Sequence, residues 1–422
     1  MGLLLNSPLR KRLVIGAGAA LCLVYVLLAG RLFVASVFGE RPELASLQRA
    51  ARFDAANADY RNHLGRYYAL VARDPGAAIE PYRAAVQLNP HSARYWFDLA
   101  SAYQVLGDVS KQTWALEHAI EADPTTPDVA WEAANFYLVQ GDDQKALREF
   151  HVVLENEPSL ANPAIQFCWR INPDVDMLLR DAVPAKPTAY VAFLELLMTK
   201  QETASTAKVW AALMATPQTF DLRYVYEYLH YLLDHKDVDQ ARLVWQQAAP
   251  RFGLSSYLPT RNNLIVNGDF SLDVLKFPDG GFDWQYQKQP SVTLTLDPSD
   301  FHSGHRSMLI AFDGPGVTDA GINQFIAVQP STTYEFSAYY KNGEFEGAGG
   351  PRFTIQDVYT QTVLYDSDEL KDAAGFWKSA TGEFTTGDDC NLLVLHIRRL
   401  PEGYPIRGKL WVDDFRLVAK RQ

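Results

Sequence analysis

Residues 93–124 read ARYWFDLASAYQVLGDVSKQTWALEHAIEADP, and this stretch decides the architecture of the first half of the chain. Trp96, Leu99, Ala100 and Tyr103 fall at i, i+3, i+4 and i+7, the spacing of one apolar helical face. Gly107-Asp108 interrupts that face, the glycine supplying the backbone freedom that a tight helix exit needs. Leu116 and Ala119 mark the inner side of a second helix, which Asp123-Pro124 ends. The same order recurs on both sides. Pro90, Pro124 and Pro158 are 34 residues apart, as are Tyr103 and Tyr137, Gly107 and Gly141, and Asp108 and Asp142. The preceding unit carries Leu64, Gly65, Tyr68, Ala78, Tyr82, Ala85 and Pro90, with one extra residue in its turn; the following one carries Ala130, Ala133, Ala134, Tyr137, Ala146 and Phe150.

This period, with these residue types, resembles the tetratricopeptide repeat, most clearly over residues 57–158. Beyond Pro158 the pattern loosens. NPAIQFCWRINPDVD (162–176) has two internal prolines and leaves room only for short helices. Thr188–Thr199 with Ala204–Ala215, and Asp221–Asp234 with Val238–Ala249, read as two further helix pairs. The resemblance implies an all-helical solenoid over residues 41–250, because each pair buries its faces only against neighbours. It also implies a concave surface that holds a peptide or partner protein. The aromatic residues of the repeats read as core.

Ahead of the repeats, Arg10, Lys11 and Arg12 precede the uncharged run LVIGAGAALCLVYVLLA (13–29). Gly30 and Arg31 interrupt it before a second apolar piece reaches Gly39. A bilayer core takes about 20 apolar residues, so 13–39 reads as a single membrane span in which Arg31 snorkels. The basic start favours a cytoplasmic N-terminus, with residues 41–422 on the periplasmic or extracytoplasmic side of an inner membrane. A cleaved signal peptide has the same basic start and apolar middle, but no clean A-x-A site is present. Residues 1–40 are thus expected to be the cytoplasmic start and anchor.

After a Gly- and Pro-containing boundary, RFGLSSYLPTR (251–261), the period changes from 3.6 to 2. Val292–Leu296, Met308–Phe312, Gln324–Val328, Thr333–Tyr339, Phe353–Val358, Leu392–Ile397 and Leu410–Leu417 read as strands, enough for an all-β sandwich over 262–422. NLIVNGDF (263–270), Trp284, SGHRSM (303–308), Trp377 and LWVDDFRL (410–417) follow one another in an order that resembles the carbohydrate-binding modules of the galactose-binding-like jelly-roll superfamily. The resemblance implies paired terminal strands that bring the NGDF and VDDF ends together. It also implies a structural calcium ion near them, for which Asp269, Asp413 and Asp414 are the candidate ligands. Family members commonly carry an acid after the opening Phe, where this chain has Ser271. Glycan binding needs aromatic faces to stack on sugar rings and amides to bond hydroxyls. Trp284, Tyr286, Tyr340 and Tyr359 are the candidate platforms, with Gln324 and Gln356 beside them; Trp377 and Trp411 read as core.

The charge is −11, and it divides as +3 up to residue 40, −6 over 41–261 and −8 beyond. Such a chain offers no basic stripe for nucleic acid. Cys22, Cys168 and Cys390 are too sparse for a disulfide framework; free, buried thiols are expected, with a Cys168–Cys390 bridge as the alternative in an oxidising compartment. No phosphate-cradling or nucleophile-elbow motif occurs. His302 and His305 lie in a glycine turn, and Glu344 and Glu346 lie in the Gly-rich loop GEFEGAGG, where nothing holds an acid pair rigid. The expectation is a non-enzymatic scaffold of the cell envelope, engaged in polysaccharide assembly or export and requiring no cofactor. The alternative is a lectin-like glycan binder.

Overall fold

The computed structural model describes residues 8–274, 281–314, 317–343, 345–399 and 404–420. Glu344 lies outside them. The chain divides into two compact units, Met1–Pro184 and Ala185–Gln422.

The first unit is all-helical among the described residues. Its helices are α1 (Pro8–Gly39), α2 (Leu44–Phe53), α3 (Ala58–Arg66), α4 (Pro75–Leu88), α5 (Ala93–Val105), α6 (Val109–Ala122), α7 (Pro127–Gln140), α8 (Asp143–Asn156), α9 (Ala161–Ile171) and α10 (Val175–Asp181). The 34-residue period has a local cause. Asp74, Asp108 and Asp142 each cap the second helix of a pair by accepting the backbone N–H of Ala77, Lys111 and Lys145. Gly107 and Gly141 take the left-handed conformation just before the latter two caps (φ 73° and 77°). The extra residue in the first unit is absorbed by a π-helical turn, Tyr67–Val71, between α3 and α4. Ala100, Ala115, Ala119, Ala133 and Ala146 have no exposed surface, so backbones approach closely, while Phe97 and Phe136 stack at 5.9 Å between successive pairs.

The long first helix is not uniform. Arg31 donates through Nε to the carbonyl of Phe53, and Phe38 stacks on Phe53 at 6.3 Å. A side chain at Gly39 would collide with the ring of Tyr60. One side of the end of α1 therefore packs against the next helices, and Arg31 is hydrogen-bonded there. The helix as a whole covers the expected span of 13–39. The uninterrupted, exposed apolar stretch is Leu13–Gly30, about 27 Å long at the helical rise.

The second unit begins with two helix pairs, α11 (Pro187–Lys200) with α12 (Thr203–Ala215), and α13 (Arg223–Asp234) with α14 (Val238–Arg251). Ten strands follow: β1 (Gln285–Tyr286), β2 (Val292–Asp297), β3 (Ser307–Gly314), β4 (Asp319–Ala327), β5 (Thr333–Asn342), β6 (Pro351–Asp357), β7 (Val363–Asp366), β8 (Lys378–Thr385), β9 (Leu392–Arg399) and β10 (Ile406–Ala419). They form two antiparallel five-stranded sheets, ordered β1-β4-β9-β6-β7 and β2-β3-β10-β5-β8. The seven expected strands are all present, and β1, β7 and β8 are additions. Phe270, Trp284, Phe336, Phe353 and Phe415 fill the space between the sheets.

The segment 251–261, expected as a linker, lies inside the second unit. Trp245 on α14 donates its indole N–H to the carbonyl of Tyr257, and the Tyr257 hydroxyl donates to the carbonyl of Asp273. From β6's end, the Tyr359 hydroxyl donates to the carbonyl of Leu233, and Lys236 sits over the Tyr359 ring. The last helix pair is thus hydrogen-bonded to the sandwich. Cys168 and Cys390 are free, buried thiols, both pushed up to about 12 by burial.

Candidate functional site

The sandwich ends meet as the motifs imply. Leu264 N–H donates to the Leu417 carbonyl, Phe415 N–H to Gly268, and the Asn263 amide to the Phe415 carbonyl. A side chain at Gly268 would overlap the Phe415 carbonyl oxygen, so only glycine permits this closure. Around it, the three aspartates expected as calcium ligands are engaged separately. Asp269 accepts from the backbone N–H and hydroxyl of Ser271. Asp413 is fully buried and accepts from the N–H groups of His302, Ser303 and Asp414; burial pushes its carboxyl up to about 6 against those donors. Asp414 faces His302 at 3.4 Å and Arg416 at 3.6 Å. Arg306 donates to the carbonyl of Phe270 and to Asp273, placing a cation at the opening loop. Among the described residues no group of three or more His, Cys, Asp or Glu is placed to hold a metal.

The candidate glycan residues scatter. Trp284 is 2% exposed, stacks on Phe270 and donates to the Asn267 carbonyl, so its ring is core. Tyr340 is 4% exposed and donates to Asp372. Gln324 has no exposed surface and exchanges two 2.9 Å hydrogen bonds with the backbone of Val266. Tyr359 is committed to Leu233, as described above. Tyr286 keeps 41% exposure at the sheet edge. Gln356 is buried, on the outer face of its sheet, and donates to Gln361. Trp377 and Trp411, expected in the core, are half-buried instead; Trp411 donates to Asp297.

Strand register shows what alternation alone misplaced. Ile322 and Ile326 point into the core, which fixes Gln324 on the same side and turns Asn323, Phe325 and Ala327 outward. Asn323 pairs with Gln285 on one side and His396 on the other; His396 pairs with Thr354, and Thr354 with Asp366. The outer face of the five-stranded sheet therefore carries one continuous polar row: Gln285, Asn323, His396, Thr354, Asp366. Beside it lies a second row, Asp319, Arg398 and Arg352. His396 Nδ1 is 2.9 Å from Asp319, and Thr354 donates to Asp366 at 2.8 Å. His396 Nε2, Gln285 Nε2 and Arg352 Nε are buried without a hydrogen-bond partner among the described residues. Burying such groups unpaired costs about 1–3 kcal/mol each. The flanking apolar row is Phe325, Val394 and Val363, with Gln356 among them.

In the helical unit, acidic and amide side chains lie on the first helices of successive pairs. Asn62 donates to Asp98 at 2.8 Å, and the Tyr95 hydroxyl donates to Asp59. Glu132, 34 residues after Asp98, has its carboxyl raised by burial and by Asp98.

These features define a class: tetratricopeptide-like helical repeats joined to a jelly-roll of the carbohydrate-binding-module type. A carbohydrate binding domain family model matches residues 262–399. Small glutamine-rich tetratricopeptide repeat-containing protein 2 of Mycosarcoma maydis is 30% identical over 91 residues, 22% of this chain and 26% of that protein. The match thus spans about a quarter of that curated relative. Similar solved structures include the CBM22-1 xylan-binding domain of Paenibacillus barcinonensis Xyn10C (15% identity, TM-score 0.25, covering 33% of this chain and 86% of that one). Another is Pseudomonas aeruginosa pilF (18% identity, TM-score 0.23, covering 48% of this chain and 94% of that one).

Proposed function

We propose that this chain is a non-enzymatic, membrane-anchored scaffold that holds a glycan on the outer face of the β1-β4-β9-β6-β7 sheet and a protein partner on its helical repeats. The anchor is Leu13–Gly30, with the folded units on the extracytoplasmic side of a cell envelope. Polysaccharide assembly or export is the process this combination fits.

The observation that carries the glycan reading is the polar row Gln285, Asn323, His396, Thr354 and Asp366, with two of its nitrogens buried and, among the described residues, unpartnered. Amide, imidazole, hydroxyl and carboxylate groups in one line match the alternating donors and acceptors of sugar hydroxyls. Acidic groups at one repeating first-helix position, Asp98 and Glu132, support a partner with basic side chains on the repeats.

The test is a glycan array probed with the full-length protein, followed by titration of Asn323→Ala. Binding by the parent chain that falls at least tenfold in the variant, at an unchanged melting temperature, supports the reading. An array without signal rules the glycan part out.

A further inference from the structure

The outer sheet face continues under a helix. At the end of β4, Phe325 and Ala327 line a cavity of about 310 Å³ whose opposite wall is α14, through Arg242, Trp245 and Gln246. Arg261 and Phe282 complete the parts that matter chemically. All of these residues belong to the second unit. Phe325 follows Asn323 by two residues on the same strand face, roughly 7 Å along it. The cavity is therefore the next position along the surface that carries the polar row.

The charge of this cavity opposes that of its surroundings. Residues 262–422 carry a net −8, yet the cavity is lined by two arginines and, among the described residues, by no carboxylate. Among the described residues Arg242 is ion-paired with Asp239 on its own helix, an exposed pair at 3.2 Å that contributes little. Arg261 is exposed and has no ion-pair partner among the described residues. Guanidinium groups bind carboxylates with two parallel hydrogen bonds, and two arginines beside aromatic walls, one of them only weakly paired, are a carboxylate-recognition arrangement. Gln246 adds a donor and an acceptor for ring hydroxyls.

We infer that the glycan held by this chain is acidic, with a uronate residue seated in the cavity between α14 and β4 and its carboxylate met by Arg242 and Arg261. This rests on the outer face being the glycan surface. It makes the last helix part of the binding site: α14 supplies the wall that reads charge, and the sheet supplies the row that reads hydroxyls.

The experiment titrates the full-length protein in detergent with galacturonate, glucuronate and mannuronate tetrasaccharides. Each is compared with the same tetrasaccharide after its carboxyl groups are reduced to hydroxymethyl. At least one acidic tetrasaccharide should bind and lose roughly tenfold or more in affinity on reduction. Arg242→Gln and Arg261→Gln should each weaken the acidic ligand by about tenfold and leave the reduced one unchanged. Equal affinity for acidic and reduced forms, or arginine variants that bind the acidic form normally, overturns the inference. If only reduced forms bind, and Asn323→Ala abolishes that binding, the acidic assignment fails while the outer-face reading stands. If neither form binds and the array is silent, both fail.

Discussion

Asn323 on β4 lies directly opposite His396 on β9, on the outer face of the sheet, whereas its neighbour Gln324 is turned to the core and bonded to both backbone groups of Val266. A single step along a strand separates an outward-facing amide from a structural one. The two substitutions should separate cleanly. Gln324→Ala leaves the Val266 N–H and carbonyl unpaired and should cost about 2–4 kcal/mol by denaturant unfolding. Asn323→Ala should change stability by less than about 0.5 kcal/mol while lowering glycan affinity. A stable Gln324→Ala variant contradicts the register.

The aromatic candidates should divide in the same way. Trp284→Ala and Tyr340→Ala remove rings packed between the sheets and should each cost about 3–5 kcal/mol. Tyr286→Ala, at an exposed edge, should leave the melting temperature within a degree or two. Glycan titration below the melting transition should show no loss specific to Trp284 or Tyr340.

The last helix pair should be needed for the sandwich. A chain starting at residue 185 keeps the Trp245–Tyr257 and Tyr359–Leu233 hydrogen bonds, whereas one starting at 262 loses both. The shorter chain should melt several degrees lower, and residues 251–261 should resist limited proteolysis in the longer one. Rapid cleavage at Gly253 would count against a closed second unit.

Asp413 should give the sandwich a pH signature. Burial holds its folded carboxyl near 6, above the ordinary carboxylate value of about 4. A raised folded value makes the contribution of this group fully present below pH of about 4, and it is lost as pH rises through about 6. Two units correspond to about 2–3 kcal/mol. Unfolding measured from pH 4 to 7 should show this decline in the parent chain and a flatter profile in Asp413→Asn. Identical profiles would mean that the three backbone N–H donors already hold the carboxylate ionised.

The anchor has its own test. A reporter active only outside the cytoplasm, fused after Gln422, should be active, and the protein should remain with the membrane after carbonate washing. Reporter silence, with a cytoplasmic reporter active at the same position, reverses the topology.

The sequence by itself determined the elements. The 34-residue recurrence of Gly-Asp fixed where helices turn, because a left-handed glycine followed by a capping aspartate is a local device needing no distant partner. Likewise, the change of period after residue 262 announced strands, since alternation is a property of the chain alone. What faced outward was decided only by tertiary structure. Ile322 and Ile326 could have marked Gln324 as core, but β4 has a register shift between Asp319 and Asn323, and the partners of Asn323 lie in β1 and β9, far away in sequence. Trp284 carries every chemical attribute of a sugar platform, yet Phe270 and Phe415 bury it. Arg31 reads from the sequence as a lone charge in an apolar run, and only packing brings the Phe53 carbonyl of the next helix to it. Nor could residues 242 and 261 be joined to 325 by any spacing rule, because a cavity wall is made by packing, and packing acts between surfaces that the linear chain keeps apart.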